Sequence, residues 1–149
     1  RGMLALLFQV GADRVAVDVR RVREVVPRVR VTPPSGAPGW LAGVFVYRGR
    51  VVPVVDLHRL TGAGECPPHL SSRVILVPRP DAPDELVGLL ATQVADIRDL
   101  PAPPARPPGG ALLGPPVADG TGVLRLFDPD ELFAALGSQL GVPRPGTGP

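Results

Sequence analysis

Short runs of apolar residues separated by turn residues open the chain. Residues 4–10 form an apolar run that ends at a Gly-Ala-Asp turn. In the next segment Val15, Val17 and Val19 follow a period-two pattern. Two such runs on either side of a turn predict a β-hairpin.

The spacing of the apolar positions changes after this hairpin. Within residues 19–26, Val22, Val25 and Val26 lie at i, i+3 and i+4, which predicts one short helix that the following proline ends. A second helix is predicted over residues 128–136, because an Asp N-cap, a Pro at the first helical position and a Glu at capping-box spacing precede an apolar stripe. Gly137 is predicted to end this helix.

The middle of the chain contains further strand-like runs. Residues 41–47 and 51–55 are rich in β-formers and are joined by an Arg-Gly-Arg turn, in which Gly49 supplies the positive φ of a tight connection. Pro53 has no N–H for the ladder, so its strand is expected at a sheet edge or a bulge. Other strands are predicted at residues 73–77, 86–90, 94–100 and 122–127. Loops are predicted at residues 32–39, 62–70 and 101–116, and a disordered tail at residues 141–149.

Eight or nine short strands and two short helices predict an all-β fold, built as barrels or as a sandwich. Long helices do not alternate with the strands, which argues against a doubly wound α/β fold. A chain of 149 residues is long enough for one domain or two very small ones.

Composition narrows the possible partners. All 16 basic residues are Arg, the net charge is +2 and aromatic residues make up 4% of the chain, whereas a nucleic-acid surface needs a denser basic patch or stacking aromatics. Cys66 is the only cysteine, so an intrachain disulfide is impossible. The sequence lacks a signal-peptide pattern and a long apolar run, which predicts a cytoplasmic protein without direct membrane insertion.

Candidate catalytic and metal-binding residues are sparse. Cys66 lies three residues before His69 in a Glu-Cys-Pro-Pro loop and is predicted to be an incidental exposed thiol. Asp56 and His58 alternate on one side of a strand end, which favours a surface hydrogen bond over a catalytic dyad. Two His and one Cys fall short of a closed zinc site, and the glycine pairs lack the lysine of a phosphate loop. We therefore expect no enzyme activity, no cofactor and no metal site.

Several motifs follow one another in a specific order. They are V-R-E-V at residues 22–25, P-G-W-L-A-G at 38–43, R-G at 48–49, V-V-P-V-V-D-L at 51–57 and, more loosely, V-G-L-L at 87–90 and the segment 123–136. Their order and spacing resemble the CheW-like domain family of bacterial chemosensory systems. That family includes free coupling proteins and the regulatory domain of the histidine kinase CheA.

The resemblance implies an all-β fold of two small SH3-like five-stranded β-barrels with short helices. The CheW-like domain would span residues 4–140. Its first barrel is expected at roughly 14–70, and its second is expected to combine residues 4–13 with residues 71–140.

The resemblance also implies a non-catalytic adaptor that couples methyl-accepting receptors to a CheA-type histidine kinase in a signalling array. The implied partners are the receptor's cytoplasmic tip, the kinase's regulatory domain and other CheW-like domains. A groove between the barrels is expected to take the receptor tip, and its positions in this chain are Val22, Gly43, Gly88 and Val94. The alternative is that these four are ordinary core and turn residues.

Four further residues are expected to support coupling. We hypothesise that Glu24 and Arg48 form a salt bridge that ties the short helix to the Arg-Gly turn and holds the groove wall. Direct contact of Arg48 with an acidic receptor residue is the competing role. Gly49 belongs to the turn, and Asp56 is expected to end the strand that follows it.

Two positions depart from the family pattern. The Asn of N-x-R-G is Val46 here, and the Asp after the V-G-x-x-V strand is Thr92. These departures suggest a diverged member, such as the adaptor of a Wsp-like surface-sensing pathway. A regulatory domain of a larger kinase is another alternative, and a small-molecule-binding barrel or a hydrolase is the least favoured.

Overall fold

The computed structural model describes residues 2–68, 72–103 and 110–140. Within these residues the chain forms nine strands, two α-helices and one 3-10 helix. Their order is β1 (Gly2–Val10), β2 (Asp13–Asp18), the 3-10 helix (Val19–Arg21), β3 (Glu24–Pro27), β4 (Leu41–Tyr47), β5 (Arg50–Asp56), α1 (Leu57–Leu60), β6 (Arg73–Arg79), β7 (Ala82–Pro101), β8 (Leu113–Ala118), β9 (Val123–Phe127) and α2 (Pro129–Leu140). The predicted all-β class is confirmed.

The strands pair in two groups that share β7. The first group runs β4-β5-β7-β6-β3, and the second runs β7-β1-β2-β9-β8. The first part of β7 pairs with β6 as far as Ala91, and from Thr92 onwards β7 pairs with β1. Gln93 has a φ of 52°, so the strand changes direction where it passes from one sheet to the other.

Several strands belong to a different sheet group from the one expected. The expected boundaries lay between residues 13 and 14 and between residues 70 and 71. β6 and the first half of β7 were expected in the second barrel, but they pair with β3 and β5 in the first group. β2 was expected in the first barrel, but it pairs with β1 and β9 in the second. β7 is 20 residues long and therefore serves both sheets, while β2 joins the second group because it forms a hairpin with β1. The predicted tail at 141–149 lies outside the described residues.

A short helix was predicted within residues 19–26; a helical turn is present at its start, and the prediction is wrong for the rest of the segment. Only Val19–Arg21 form a 3-10 helix, whereas Glu24–Pro27 pair with β6 in an antiparallel ladder. The backbone N–H of Arg23 also donates to the carbonyl of Leu76 at 2.7 Å. Strand pairing therefore takes up the backbone groups that a helix would have used, and the β-branched valines suit it.

Three further boundaries differ from the predictions. The runs at 86–90 and 94–100 are parts of the single strand β7, and residues 113–116 of the predicted loop belong to β8. Helix α2 continues past Gly137 to the buried Leu140, because the apolar stripe repeats once more.

Three groups of apolar side chains fill the molecule. The first-sheet core contains Val52, Val54, Cys66, Val74, Leu76, Leu86 and Leu90. The second-sheet core contains Ala5, Leu7, Ala16, Leu100 and Leu124. The inter-sheet core, which α2 covers, includes Leu6, Phe8, Val15, Val17, Val55, Ile75, Val87, Leu89, Leu132 and Leu136. Side chains alternate between the two faces of each strand, so β7 and β1 each contribute to the inter-sheet core and to a sheet core.

Candidate functional site

The turn between β4 and β5 contains two residues with positive φ. Arg48 has a φ of 48° and Gly49 a φ of 79°, the combination that a two-residue hairpin turn of type I′ requires. The role predicted for Gly49 in the turn is therefore confirmed. Pro53 pairs with Val44 of β4, while pairing with β7 begins one residue later at Val54. The strand was expected at a sheet edge or with a bulge at Pro53, but β5 lies between β4 and β7, so this expectation is wrong. Pro53 has a ladder partner only in β4, which limits the cost of its missing N–H.

Two side chains at the tip of this hairpin contact the Glu24 carboxylate. An Arg48 guanidinium nitrogen lies 3.4 Å from it, and the Tyr47 hydroxyl donates a hydrogen bond to the same oxygen. This hydrogen bond to Glu24 raises the pKa of Tyr47 above its ordinary value. The Arg48 guanidinium also lies 5.2 Å from the centre of the Tyr47 ring.

The hypothesised ion pair of Glu24 and Arg48 is therefore present, but its setting differs from the expectation. Glu24 begins a strand rather than a helix, so the pair links β3 to the hairpin. The Arg48 side chain is 77% exposed. Exposed pairs contribute little to stability because water screens them and the long side chains lose entropy.

Asp56 ends β5, as predicted, and organises the segment that follows. One carboxylate oxygen accepts the backbone N–H groups of His58 (2.9 Å) and Arg59 (3.3 Å), which makes Asp56 the N-cap of α1. The other oxygen accepts the backbone N–H of Cys66 at 3.0 Å. The carboxylate thereby holds the returning loop against the end of the strand.

His58 and Cys66 lie beside Asp56 in the interior. Cys66 is 0% exposed and His58 3% exposed, so the prediction of an exposed thiol is wrong. Burial raises the pKa of the Cys66 thiol to about 11, and burial lowers the pKa of His58 below its ordinary value. A protonated, inaccessible thiol is a poor nucleophile. His69 lies outside the described residues.

The four residues expected in a groove fall into two pairs. Val22 and Val94 are half-buried and pack against the inter-sheet core. Gly43 and Gly88 are buried within the first sheet group. A Cβ on Gly88 would lie 2.6 Å from Val74 Cγ1, and one on Gly43 would lie 2.9 Å from the backbone N of Thr32. The small size of both glycines therefore serves packing within this chain, which favours the alternative of core positions for them.

Two exposed apolar residues next to the inter-sheet core were not identified from the sequence. Leu4 lies on the same face of β1 as Leu6, and Ile97 of β7 lies directly opposite Leu6. Both are exposed, Ile97 by 65%. Ala5 pairs with Asp18, the residue before the 3-10 helix, so the start of β1 lies beside that helix. We call Leu4, Val22, Val94 and Ile97 the inter-sheet strip. In the sequence, such a surface is indicated by an apolar residue that extends the core-facing positions of a strand past the end of the core.

A second exposed apolar group lies on the β4–β5 hairpin. Val46 is 69% exposed and pairs directly with the exposed Val51, and Val44 is on the same face two residues earlier. We call Val44, Val46 and Val51 the hairpin patch. Its centre is the position where the family pattern has Asn, so this departure makes the surface more apolar and leaves the core unchanged.

The second departure, Thr92, is a buried position at the crossing between the two sheets. Its hydroxyl donates to the carbonyl of Gln9 at 3.2 Å. The bond joins β7 to β1 next to the irregular pairing at Leu7 and Gln9. Thr92 thus helps to hold the point where β7 changes sheets.

One ion pair links the 3-10 helix to α2. Arg21 of the 3-10 helix lies 2.6 Å from Asp130 at the start of α2. This contact links the short helix near the inter-sheet strip to the helix that covers the inter-sheet core.

In the residues that the structure describes, no helix is long and apolar enough to cross a membrane.

Comparison with known proteins gives consistent similarities. Residues 4–136 match the profile of a family described as the CheW-like domain. A chemotaxis protein CheW of Rhizobium meliloti is 31% identical over 96 residues, which cover 64% of this chain and 60% of that protein. The chemotaxis protein CheW of Treponema pallidum is 26% identical over 140 residues, covering 86% and 80% respectively.

A solved structure has the same fold. The crystal structure of the scaffolding protein TtCheW from Thermoanaerobacter tengcongensis superimposes with a TM-score of 0.70 at 20% identity, covering 86% of this chain and 85% of that chain. This structural similarity agrees with the predicted all-β fold of two SH3-like units with short helices.

Proposed function

This chain belongs to the CheW-like domain family, and from that premise we propose that it is a chemosensory adaptor. It couples methyl-accepting receptors to a CheA-type histidine kinase within a membrane-associated receptor array. The observation that carries the proposal is the match over residues 4–136 to a family whose named relatives are chemotaxis proteins.

The inter-sheet strip is the surface that we assign to the receptor tip. It combines the half-buried Val22 and Val94 with the exposed Leu4 and Ile97 along the border of the inter-sheet core. A helix with an apolar face binds such a border by burying its own apolar side chains against it. Gly43 and Gly88 support this surface indirectly, because they allow the strands of the first sheet group to pack closely.

The hairpin patch is the surface that we assign to the kinase's regulatory domain. Its three valines lie on the tightly turned β4–β5 hairpin, away from the inter-sheet core. Exposed apolar residues grouped on one strand face are typical of protein–protein contacts. The Glu24 contacts with Tyr47 and Arg48 hold this hairpin against β3, so the coupling role proposed for Glu24 and Arg48 is positional.

The function is binding rather than catalysis. Asp56 accepts backbone N–H groups, and Cys66 is enclosed and protonated, so this pair does not provide an accessible nucleophile with a base beside it. The carboxylate of Asp56 supports coupling by fixing the end of the strand that carries the hairpin patch.

Binding measurements with surface variants test the proposal. Wild-type chain, Ile97→Glu, Val46→Arg and Val123→Glu are titrated by calorimetry with a receptor cytoplasmic-tip fragment and with a CheA regulatory domain. Val123 is 56% exposed on β9, outside both surfaces, and is the matched control. We expect Ile97→Glu to weaken receptor binding at least tenfold and Val46→Arg to weaken kinase binding at least tenfold, each leaving the other partner's affinity unchanged.

Two results would contradict parts of the proposal separately. If the wild-type chain binds neither partner, the coupling function is wrong. If it binds both, but Val123→Glu weakens binding as much as the other two variants, the function stands and the assignment of the surfaces is wrong.

A further inference from the structure

We propose that Asp56, His58 and Cys66 form a zinc-binding site inside the first sheet group. One ligand atom from each side chain, a carboxylate oxygen, an imidazole nitrogen and the thiol sulfur, lies within 4.8 Å of the other two. All three residues are buried. The proposal is independent of the coupling function, since it concerns a site enclosed beneath the surface.

His58 supplies the observation that points to a ligand. Its ring is almost fully buried, and its Nδ1 atom has no hydrogen-bond partner in the described part of the chain. A buried ring nitrogen without a partner loses the hydrogen bond that it would make with water, which is costly. Coordination of a cation by that nitrogen removes the cost.

The backbone arrangement explains how residues separated along the chain meet. Asp56 caps α1, and the cap places His58 in the first turn of that helix. The carboxylate then draws the loop back by accepting the N–H of Cys66. Oδ1 of Asp56 already accepts two N–H groups, whereas Oδ2 accepts one and keeps a lone pair for a cation.

The mixed ligand set selects the metal. Carboxylate, imidazole and thiolate together suit Zn²⁺, whereas Mg²⁺ and Ca²⁺ prefer oxygen ligands throughout. Three protein ligands leave one position of a tetrahedral site for water. Water can approach through an open cavity that Asp56 lines together with Arg28, Gly39, Leu41 and Pro68. The metal displaces the thiol proton of Cys66, which is released to solvent.

Bound zinc would stabilise the loop that follows α1. The site connects the end of β5, the first turn of α1 and the returning segment at Cys66. A metal that binds only this folded arrangement raises the free energy needed to unfold it. Nε of Arg59 lies 3.9 Å from Oδ2 of Asp56, and its positive charge repels a bound cation. This repulsion lowers the affinity for the metal without removing any ligand.

The test uses the full chain without a histidine tag. Co²⁺ is titrated into the reduced protein, and the near-ultraviolet band of thiolate-to-cobalt charge transfer is recorded before Zn²⁺ is added. Cys66 is the only cysteine, so the band identifies it as a ligand without any variant. We expect one equivalent of Co²⁺ to produce the band and one equivalent of Zn²⁺ to abolish it.

Variants then test the other ligands. We expect His58→Gln to weaken Co²⁺ binding at least tenfold and Cys66→Ser to abolish the charge-transfer band, with circular dichroism as the check on folding. Glu65→Gln is the matched control, because Glu65 is an exposed acid next to Cys66. Absence of the band in folded wild-type protein would overturn the proposal, as would zinc binding that is unaffected by His58→Gln.

Discussion

The Tyr47 hydroxyl donates a hydrogen bond to the Glu24 carboxylate, and this contact joins two strands that exchange no ladder pairs in the described residues. β3 pairs with β6, and β4 pairs with β5, so both β3 and β4 are edges of the first sheet group. A side-chain contact therefore closes the gap between two sheet edges at the end that carries the hairpin turn. Arg48 adds an exposed charge to the same carboxylate.

Removing the Tyr47 hydroxyl should destabilise the chain more than removing Arg48. Tyr47→Phe leaves the Glu24 carboxylate without its hydroxyl donor, whereas Arg48→Ala removes a largely solvated partner and should change the free energy of unfolding by less than about 0.5 kcal/mol. Urea unfolding of both variants measures the difference. An Arg48→Ala effect larger than that of Tyr47→Phe would show that the ion pair, and not the hydroxyl, joins the two edges.

The buried glycines of the first sheet group should not tolerate a methyl group. We expect Gly88→Ala to cost about 1–3 kcal/mol, because its Cβ would lie 2.6 Å from Val74 Cγ1. Gly43→Ala should cost at least as much, since its φ of 151° is strained for other residues and the Thr32 backbone lies close.

Gly39 provides the matched control for these two substitutions. A Cβ at Gly39 has no neighbour within 4 Å, so Gly39→Ala should change stability by no more than about 0.5 kcal/mol. Thermal and urea unfolding compare the three variants. Equal stability of Gly88→Ala and Gly39→Ala would mean that Val74 can move aside without cost.

Asp119 should make stability depend on acid pH. Its carboxylate accepts from Arg14 and Arg98, each at 2.8 Å, and from the Thr121 N–H at 3.0 Å. The hydrogen bond from Arg14, followed by that from Thr121, holds the pKa of Asp119 well below its ordinary value of 3.8. Because the folded pKa is the lower one, the stabilisation is fully present above 3.8 and is lost as the pH falls towards the folded value.

Asp119→Asn tests this pH dependence. The variant should be less stable than wild type at neutral pH, and the difference should shrink as the pH falls below 3.8. Urea unfolding across this range measures it, with the exposed Asp84→Asn as a control. A difference that stays constant with pH would show that Asp119 acts through shape and not through its charge.

Restoring the family's Asn at position 46 should leave the fold intact. Val46 is 69% exposed, so Val46→Asn removes little buried surface and should change the free energy of unfolding by no more than about 0.5 kcal/mol. If unfolding measurements give a loss above 1 kcal/mol, the Val46–Val51 pair stabilises the hairpin more than its exposure suggests.

Local patterns predicted those elements whose stability depends on near neighbours in the chain. The β1–β2 hairpin follows from alternation around one turn. The start of α2 follows from Asp128, whose carboxylate accepts the N–H of Asp130 at 3.0 Å. The backbone N–H of Asp128 donates to the distant carbonyl of Leu112, so the tertiary structure provides the partner for that group.

The misassigned segments depend on partners far along the chain. Val22, Val25 and Val26 have a spacing compatible with a helix, but β6 offers Glu24–Pro27 a complete ladder. The runs on either side of Gln93 are one strand, because β1 continues the pairing where β5 and β6 leave it. Propensity alone could not choose between these outcomes.

The sequence by itself determined the strand-rich class, the Arg-Gly turn and the capped start of α2, because each depends on residues within a few positions of one another. Only the tertiary structure decided which strands share a sheet, that Gly88 lies in the core, that Leu4 and Ile97 border the inter-sheet core, and that Cys66 and His58 meet at Asp56. Most of these outcomes depend on ladders between distant segments, and the last depends on one carboxylate that draws back a loop. Neither kind of contact leaves a periodic signal in the chain.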